Sequence, residues 1–108
     1  MNLEDRRCRA CEGKEKPFTL PEAEKYLTKL EGWTIEKMVL VREFLFKNYD
    51  ETVAFVNAVA WISRREDHHP QTDFGYKSCR IRYWTHAVGG LSKNDFICAA
   101  KVNRLLVV

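Results

Sequence analysis

Apolar residues recur along this chain with two periods, and the changes between them divide it into helices and strands. Ala23, Tyr26, Leu27 and Leu30 fall at i, i+3, i+4 and i+7, one stripe of a helix. Thr19 opens that helix with Glu22 at capping-box spacing, Pro21 is tolerated in its first turn, and Gly32 is placed as a left-handed C-cap. From Trp33 to Lys47 the pattern is that of strands. Trp33-Thr34-Ile35 is followed by a turn at Glu36-Lys37, then by a second strand in which Met38, Leu40, Phe44 and Phe46 share a core face that Arg42 interrupts. Asp50 is the expected N-cap of a second helix, Glu51 to Glu66, apolar at nearly every position from Val53 to Ile62. Thr72 to Tyr76 reads as a strand, Lys77-Ser78 as a turn, and Cys79 to His86 as an alternating strand. Cys79, Ile81, Tyr83 and Thr85 face the core there, and Arg80, Arg82, Trp84 and His86 the open side. Ser92 caps a last helix, with Asp95 at its third position and Leu91 and Phe96 as a hydrophobic staple.

The order helix, hairpin, helix, hairpin, helix predicts an α+β fold: a four-stranded antiparallel sheet with helices packed on one face. A helix apolar on all sides must be covered twice, once by its own sheet and once by the first helix or a partner subunit. Residues 1–18 form a charged leader without periodicity, expected to be flexible, and residues 19–108 a single domain.

Composition narrows the class. The chain has 108 residues, 18 basic and 15 acidic, for a net charge of +3, too mild to imply direct contact with nucleic acid. No apolar run reaches the roughly 18–20 residues of a membrane span, and the polar N-terminus is unlike a secretory signal, so a cytoplasmic protein is expected. Cys8-x-x-Cys11 has half the spacing of a zinc site or the form of a redox pair. With no second pair following, free thiols in a reducing compartment are the expectation, with no metal and no cofactor.

The chemistry is concentrated in Glu66-Asp67-His68-His69-Pro70. Only three histidines occur; two are adjacent here and His86 follows 17 residues after His69. Adjacent side chains diverge on a helix or a strand. Pro70 disfavours helix at the residue before it, so His68 and His69 sit where a helix gives way to a loop. They are either a polar helix end, favoured by the dipole, or groups converging on one small molecule. Trp33 is core or pocket wall. Asp95 has a sufficient structural role as a cap residue.

His68-His69-Pro70, five residues, Tyr76, nine residues, His86, eight residues, Asp95 resembles the signature of the pterin-4a-carbinolamine dehydratases, and Gly32-Trp33 is similar to a recurring feature of that family. The resemblance spans about Leu20 to Leu106. It implies dehydration of a 4a-hydroxytetrahydropterin to quinonoid dihydropterin by histidine acid–base chemistry, in recycling the pterin cofactor of aromatic amino acid hydroxylases. It implies His68 and His86 as the proton-transfer pair, His69 as binder and alternate acid, and Asp95 as the group that orients a histidine. Asp67, Pro70, Trp84, Thr85 and Ala87 would line the pocket, with Trp33 as its wall. It further implies a homodimer or homotetramer. The alternative within the family is a non-catalytic interaction module, a transcription coactivator or assembly factor. One position departs: four residues before His68 the family usually carries an acidic residue or sometimes lysine, and here it is Arg64.

Overall fold

The computed structural model describes residues 2–10 and 15–106. Three helices, α1 (Leu20–Leu27), α2 (Tyr49–Glu66) and α3 (Lys93–Arg104), accompany four strands, β1 (Thr34–Glu36), β2 (Val39–Leu45), β3 (Gln71–Phe74) and β4 (Ser78–Tyr83). The strands form one antiparallel sheet in the order β1-β2-β4-β3, so the two hairpins meet along β2 and β4. This is the expected α+β architecture.

Alternation sets the core. Leu40 pairs with Tyr83, Phe44 with Cys79 and Arg42 with Ile81. Leu40, Phe44, Cys79, Ile81 and Tyr83 are buried on the helix-covered face. On the other face Arg82 bonds Asp73 at 3.0 Å, and Arg80 lies 3.8 Å from Glu43. Arg42, the polar interruption, reaches the edge of the core and donates to Asn103 Oδ1 and to the Glu31 carbonyl. Burial of α3 is nearly complete from Asn94 to Ala100. Phe18 and Tyr26 stack at 5.0 Å and both meet Phe96, so α1 covers α3 rather than α2. On α2, Thr52, Phe55, Val59, Ile62, Ser63 and Glu66 are buried, while Trp61 is 62% exposed.

Several boundaries differ from expectation for local reasons. The first hairpin turns at Lys37-Met38, not Glu36-Lys37: both residues have positive φ (51° and 60°), the geometry whose twist suits a two-residue hairpin. Asn48, not Asp50, caps α2, its Oδ1 accepting from Glu51 N–H at 2.9 Å. Gly32 is left-handed (φ 85°) but lies beyond α1, which stops at Leu27. The β3–β4 turn falls at Gly75–Lys77, closed by Gly75 N–H to the Ser78 carbonyl at 2.9 Å. β4 ends at Tyr83, not His86, because β2 supplies no partner beyond Leu40 and β3 none beyond Gln71.

The leader, expected to be loose, is fastened over residues 2–10. Leu3–Asp5 form a 3-10 turn with Leu3 buried, and Lys101 Nζ donates to the Glu4 carbonyl at 2.9 Å. Cys11 lies outside the described residues. Cys8 lies against Cys98, the two sulfurs 3.5 Å apart.

Candidate active site

The site begins where α2 stops. Asp67 is left-handed (φ 50°, ψ 44°). Its N–H meets the Arg64 carbonyl and the His68 N–H meets the Ser63 carbonyl at 3.1 Å, the paired bonds of a Schellman ending. An aspartate replaces the usual glycine. The reversal lifts the chain off the helix axis and turns His68 inward and His69 outward.

His68 is held on two sides. Its ring lies parallel to that of Tyr83, centroids 5.8 Å apart and 7° between planes. Its Nε2 is 2.6 Å from Asp95 Oδ1. Asp95 is fully buried, and its second oxygen accepts from Thr85 Oγ1 and from Ser92 N–H, both at 2.9 Å. With Oδ2 occupied by two donors, Oδ1 is the acceptor for His68 Nε2–H, and Nδ1 is the ring nitrogen left for a ligand. Thr85 is fixed by backbone: its N–H donates to the Gly90 carbonyl at 2.7 Å, closing a bridge around the 3-10 turn His86–Val88. Two glycines permit that closure. Gly89 ends the turn at φ 70°, and a Cβ on Gly90 would come within 2.9 Å of Pro17.

A cavity of about 530 Å³ collects the expected groups. His68, His69 and His86 line it together, with Asp67, Trp84, Thr85 and Ala87. Trp84 and His86 lie 4.8 Å apart between ring centroids, an aromatic wall beside the exposed imidazole. His86 reaches the cavity from the 3-10 turn rather than from a strand end. Asp95 stays behind His68 and does not line the cavity, which places its role in holding the imidazole. Two expected residues are elsewhere. Trp33 is core: it packs on Phe44 and Tyr83 and donates Nε1–H to Asn103 at 2.8 Å. Pro70 does not line the cavity. Tyr76, part of the motif spacing, packs on Tyr49 at the far hairpin.

Other lining groups were not legible in the motif. Arg7, Cys8, Arg9 and Ala10 come from the leader, and Arg65, Glu66 and Asn94 from the two helix ends. Glu66 is buried. Burial pushes its carboxyl up, but the Cys8 amide, the Lys101 charge and the Arg7 guanidinium outweigh this and hold it below the usual carboxylate range. Burial also pushes the Tyr83 phenol well above its ordinary value, so the ring that carries His68 is neutral. Contact with Cys8, with burial, pushes the Cys98 thiol far up. Among the described residues no cluster of three or more His, Cys, Asp or Glu side chains could hold a metal ion. No helix among them is long and apolar enough to cross a membrane.

Comparison with known proteins follows the same outline. Residues 16–105 match the family described as Pterin 4 alpha carbinolamine dehydratase. A protein of Nitrosomonas europaea with the provisional name pterin-4-alpha-carbinolamine dehydratase is 57% identical over 105 residues, 96% of this chain and 93% of the relative. One of Dechloromonas aromatica with the same name is 52% identical, over 99% of this chain and 96% of the relative. A crystal structure from Brucella melitensis titled transcriptional coactivator/pterin dehydratase superposes with a TM-score of 0.80 at 26% identity, covering 83% of this chain and 98% of that one. A pterin dehydratase-like protein identified as a RuBisCO assembly factor superposes with a TM-score of 0.61 at 29% identity, covering 71% and 92%.

Proposed function

This chain belongs to the pterin 4 alpha carbinolamine dehydratase family, and from that membership we propose that it dehydrates a 4a-hydroxytetrahydropterin by histidine acid–base catalysis. The observation that carries the reading is the convergence of His68, His69 and His86 on one cavity, with Asp95 bonded behind His68.

Dehydration breaks the C4a–O bond, removes the N5 proton and forms the C4a–N5 double bond of a quinonoid dihydropterin. The leaving oxygen needs a proton, and N5 must lose one. His68 is suited to the base role. Its Nε2–H is committed to Asp95, so Nδ1 holds a lone pair toward the cavity, and the carboxylate stabilises the imidazolium formed when it takes the N5 proton. His86, exposed to water and beside Trp84, is suited to protonate the departing hydroxyl. His69, which faces outward from the same turn, binds the ring edge and serves as alternate acid. Trp84 supplies a flat surface for a flat ring. The reaction extends to recycling the pterin of aromatic amino acid hydroxylases by a cytoplasmic homo-oligomer that needs no metal or cofactor.

The test is single-turnover dehydration of 4a-hydroxytetrahydropterin, alongside melting temperatures. His68→Ala and His86→Ala are each expected to cost about 10²–10⁴ in turnover, the usual worth of a positioned acid or base. His69→Ala should weaken binding at least as much as turnover. The wild-type rate should vary between about pH 5.5 and 8.5, where imidazole chemistry titrates. Both single alanine variants within about threefold of wild type would defeat the proposal. A second reading, a protein-interaction module, is favoured by the fold shared with the assembly factor and by Arg64 in place of an acid. Retained affinity for a protein partner with no dehydration would select it.

A further inference from the structure

One wall of the cavity is not explained by the histidine motif. It comes from the arm that carries Arg7, Cys8, Arg9 and Ala10. Two polar side chains, both largely buried, hold that arm. Glu66, with its side chain 1% exposed, accepts from Cys8 N–H at 2.9 Å and from Arg7 Nε at 3.2 Å. Asn94 accepts from Arg9 N–H at 3.0 Å and donates to the Arg9 carbonyl at 2.6 Å, gripping that residue's backbone from both sides. Both anchors adjoin the chemistry. Glu66 lies two residues before His68, and Asn94 immediately precedes Asp95. The helix ends that hold the His68–Asp95 pair therefore also hold the arm that carries Arg9, with Asn94 on Arg9 itself.

Charge distinguishes Arg9 from its neighbours. The Arg7 guanidinium is engaged by Glu66 and by the Arg65 carbonyl. Arg65 lies over the Trp61 ring, 5.5 Å from its centroid. Glu66 is already matched by Arg7, with Lys101 at 3.9 Å. Arg9 is exposed, and among the described residues no carboxylate lies within ion-pair distance of it. A guanidinium with a clamped backbone and an unmatched head is prepared for a planar or tetrahedral oxyanion. At about 530 Å³ the cavity is within the range of sites that enclose whole small molecules, so a ring at the histidines leaves room for its substituent.

We propose that Arg9 determines specificity: the site takes reduced pterins whose ring substituent ends in an anion, a phosphate ester or a carboxylate, with the ring at the histidines and the anion at the Arg9 guanidinium. The inference rests on the pterin reading above and refines it.

The test is calorimetric binding of three dihydropterins to the full chain. One carries a neutral hydroxylated side chain, one the phosphate monoester of that chain, and one a carboxylate at its end. At least one anionic compound should bind about tenfold or more tightly than the neutral one, and added salt should weaken only the anionic complex. Arg9→Gln should remove the advantage, leaving the neutral compound within about twofold of its wild-type affinity, and Arg9→Lys should retain part of it. Melting temperatures should not move, because the arm is anchored through the Arg9 backbone. Equal binding of all three compounds, or an advantage that survives Arg9→Gln, overturns the assignment and leaves the pterin reading intact. If none binds, both fall.

Discussion

Asp95 serves two structures with one carboxylate. Oδ2 accepts from Ser92 N–H at the start of α3 and from the Thr85 hydroxyl, while Oδ1 meets His68. A cap residue is normally at the surface; here it is fully buried, which makes each of its bonds more consequential. Asp95→Asn keeps the shape and replaces part of the acceptor with a donor. It should lower turnover by about 10²-fold or more by releasing the imidazole's tautomer and orientation. It should also lower stability by about 1–3 kcal/mol, because buried donors lose their acceptor. Turnover and denaturant midpoint measured on the same preparation check both. Normal turnover in Asp95→Asn would exclude Asp95 as the orienting group.

At the scale of elements, the end of α2 is where stability and site geometry compete. Asp67 occupies the left-handed region, which costs an L-residue roughly 1–2 kcal/mol relative to glycine's freedom there. Asp67→Gly is expected to raise stability by about 1 kcal/mol in urea unfolding, with the His68–Asp95 contact kept. A loss of stability would show that the Asp67 side chain supports the turn. One residue earlier, Glu66 ties α2 to the arm. Its folded carboxyl lies below the ordinary value of 4.5, so its contribution is present above that value and is lost as pH falls through the lower, folded one. Glu66→Gln should therefore destabilise at neutral pH and show a flatter decline on acidification than wild type. Urea midpoints between pH 3 and 7 measure this. Parallel curves for the two proteins would remove Glu66 from the account.

For the whole molecule, the outer face of α2 is the surface that one chain leaves bare. α1 packs on α3, so within one chain that face, with Trp61 at its centre, stays uncovered. The inner face is closed by the chain's own core, where Val59 is 1% exposed. Val59→Glu would therefore unfold the subunit rather than probe association. Trp61→Glu is the informative change. It should lower the oligomeric state in sedimentation at micromolar concentration while the far-ultraviolet spectrum stays native. Wild-type chain that sediments as a monomer under those conditions would defeat the prediction of a homo-oligomer.

Periodicity by itself determined the element order, the α+β class and the core face of β2 and β4, because a helix or a strand buries one side and the sequence must repeat accordingly. Leu40, Phe44, Cys79, Ile81 and Tyr83 lie where alternation puts them. The family resemblance carried by the histidine spacing pointed to His68, His69, His86 and Asp95, and the structure brings the three histidines to one cavity with Asp95 behind His68. Tertiary structure decided the rest. Which hairpin strands meet, that Trp33 packs inside rather than beside the cavity, and that residues 7–10 wall the site all depend on contacts between residues far apart in the chain, from Leu45 with Ser78 and Trp33 with Asn103 to Cys8 with Glu66 and with Cys98. No local pattern encodes such contacts. The leader has no periodicity because, beside the buried Leu3, much of its hold is polar and backbone-directed: Glu66 and Asn94 bind peptide groups, which every sequence carries alike.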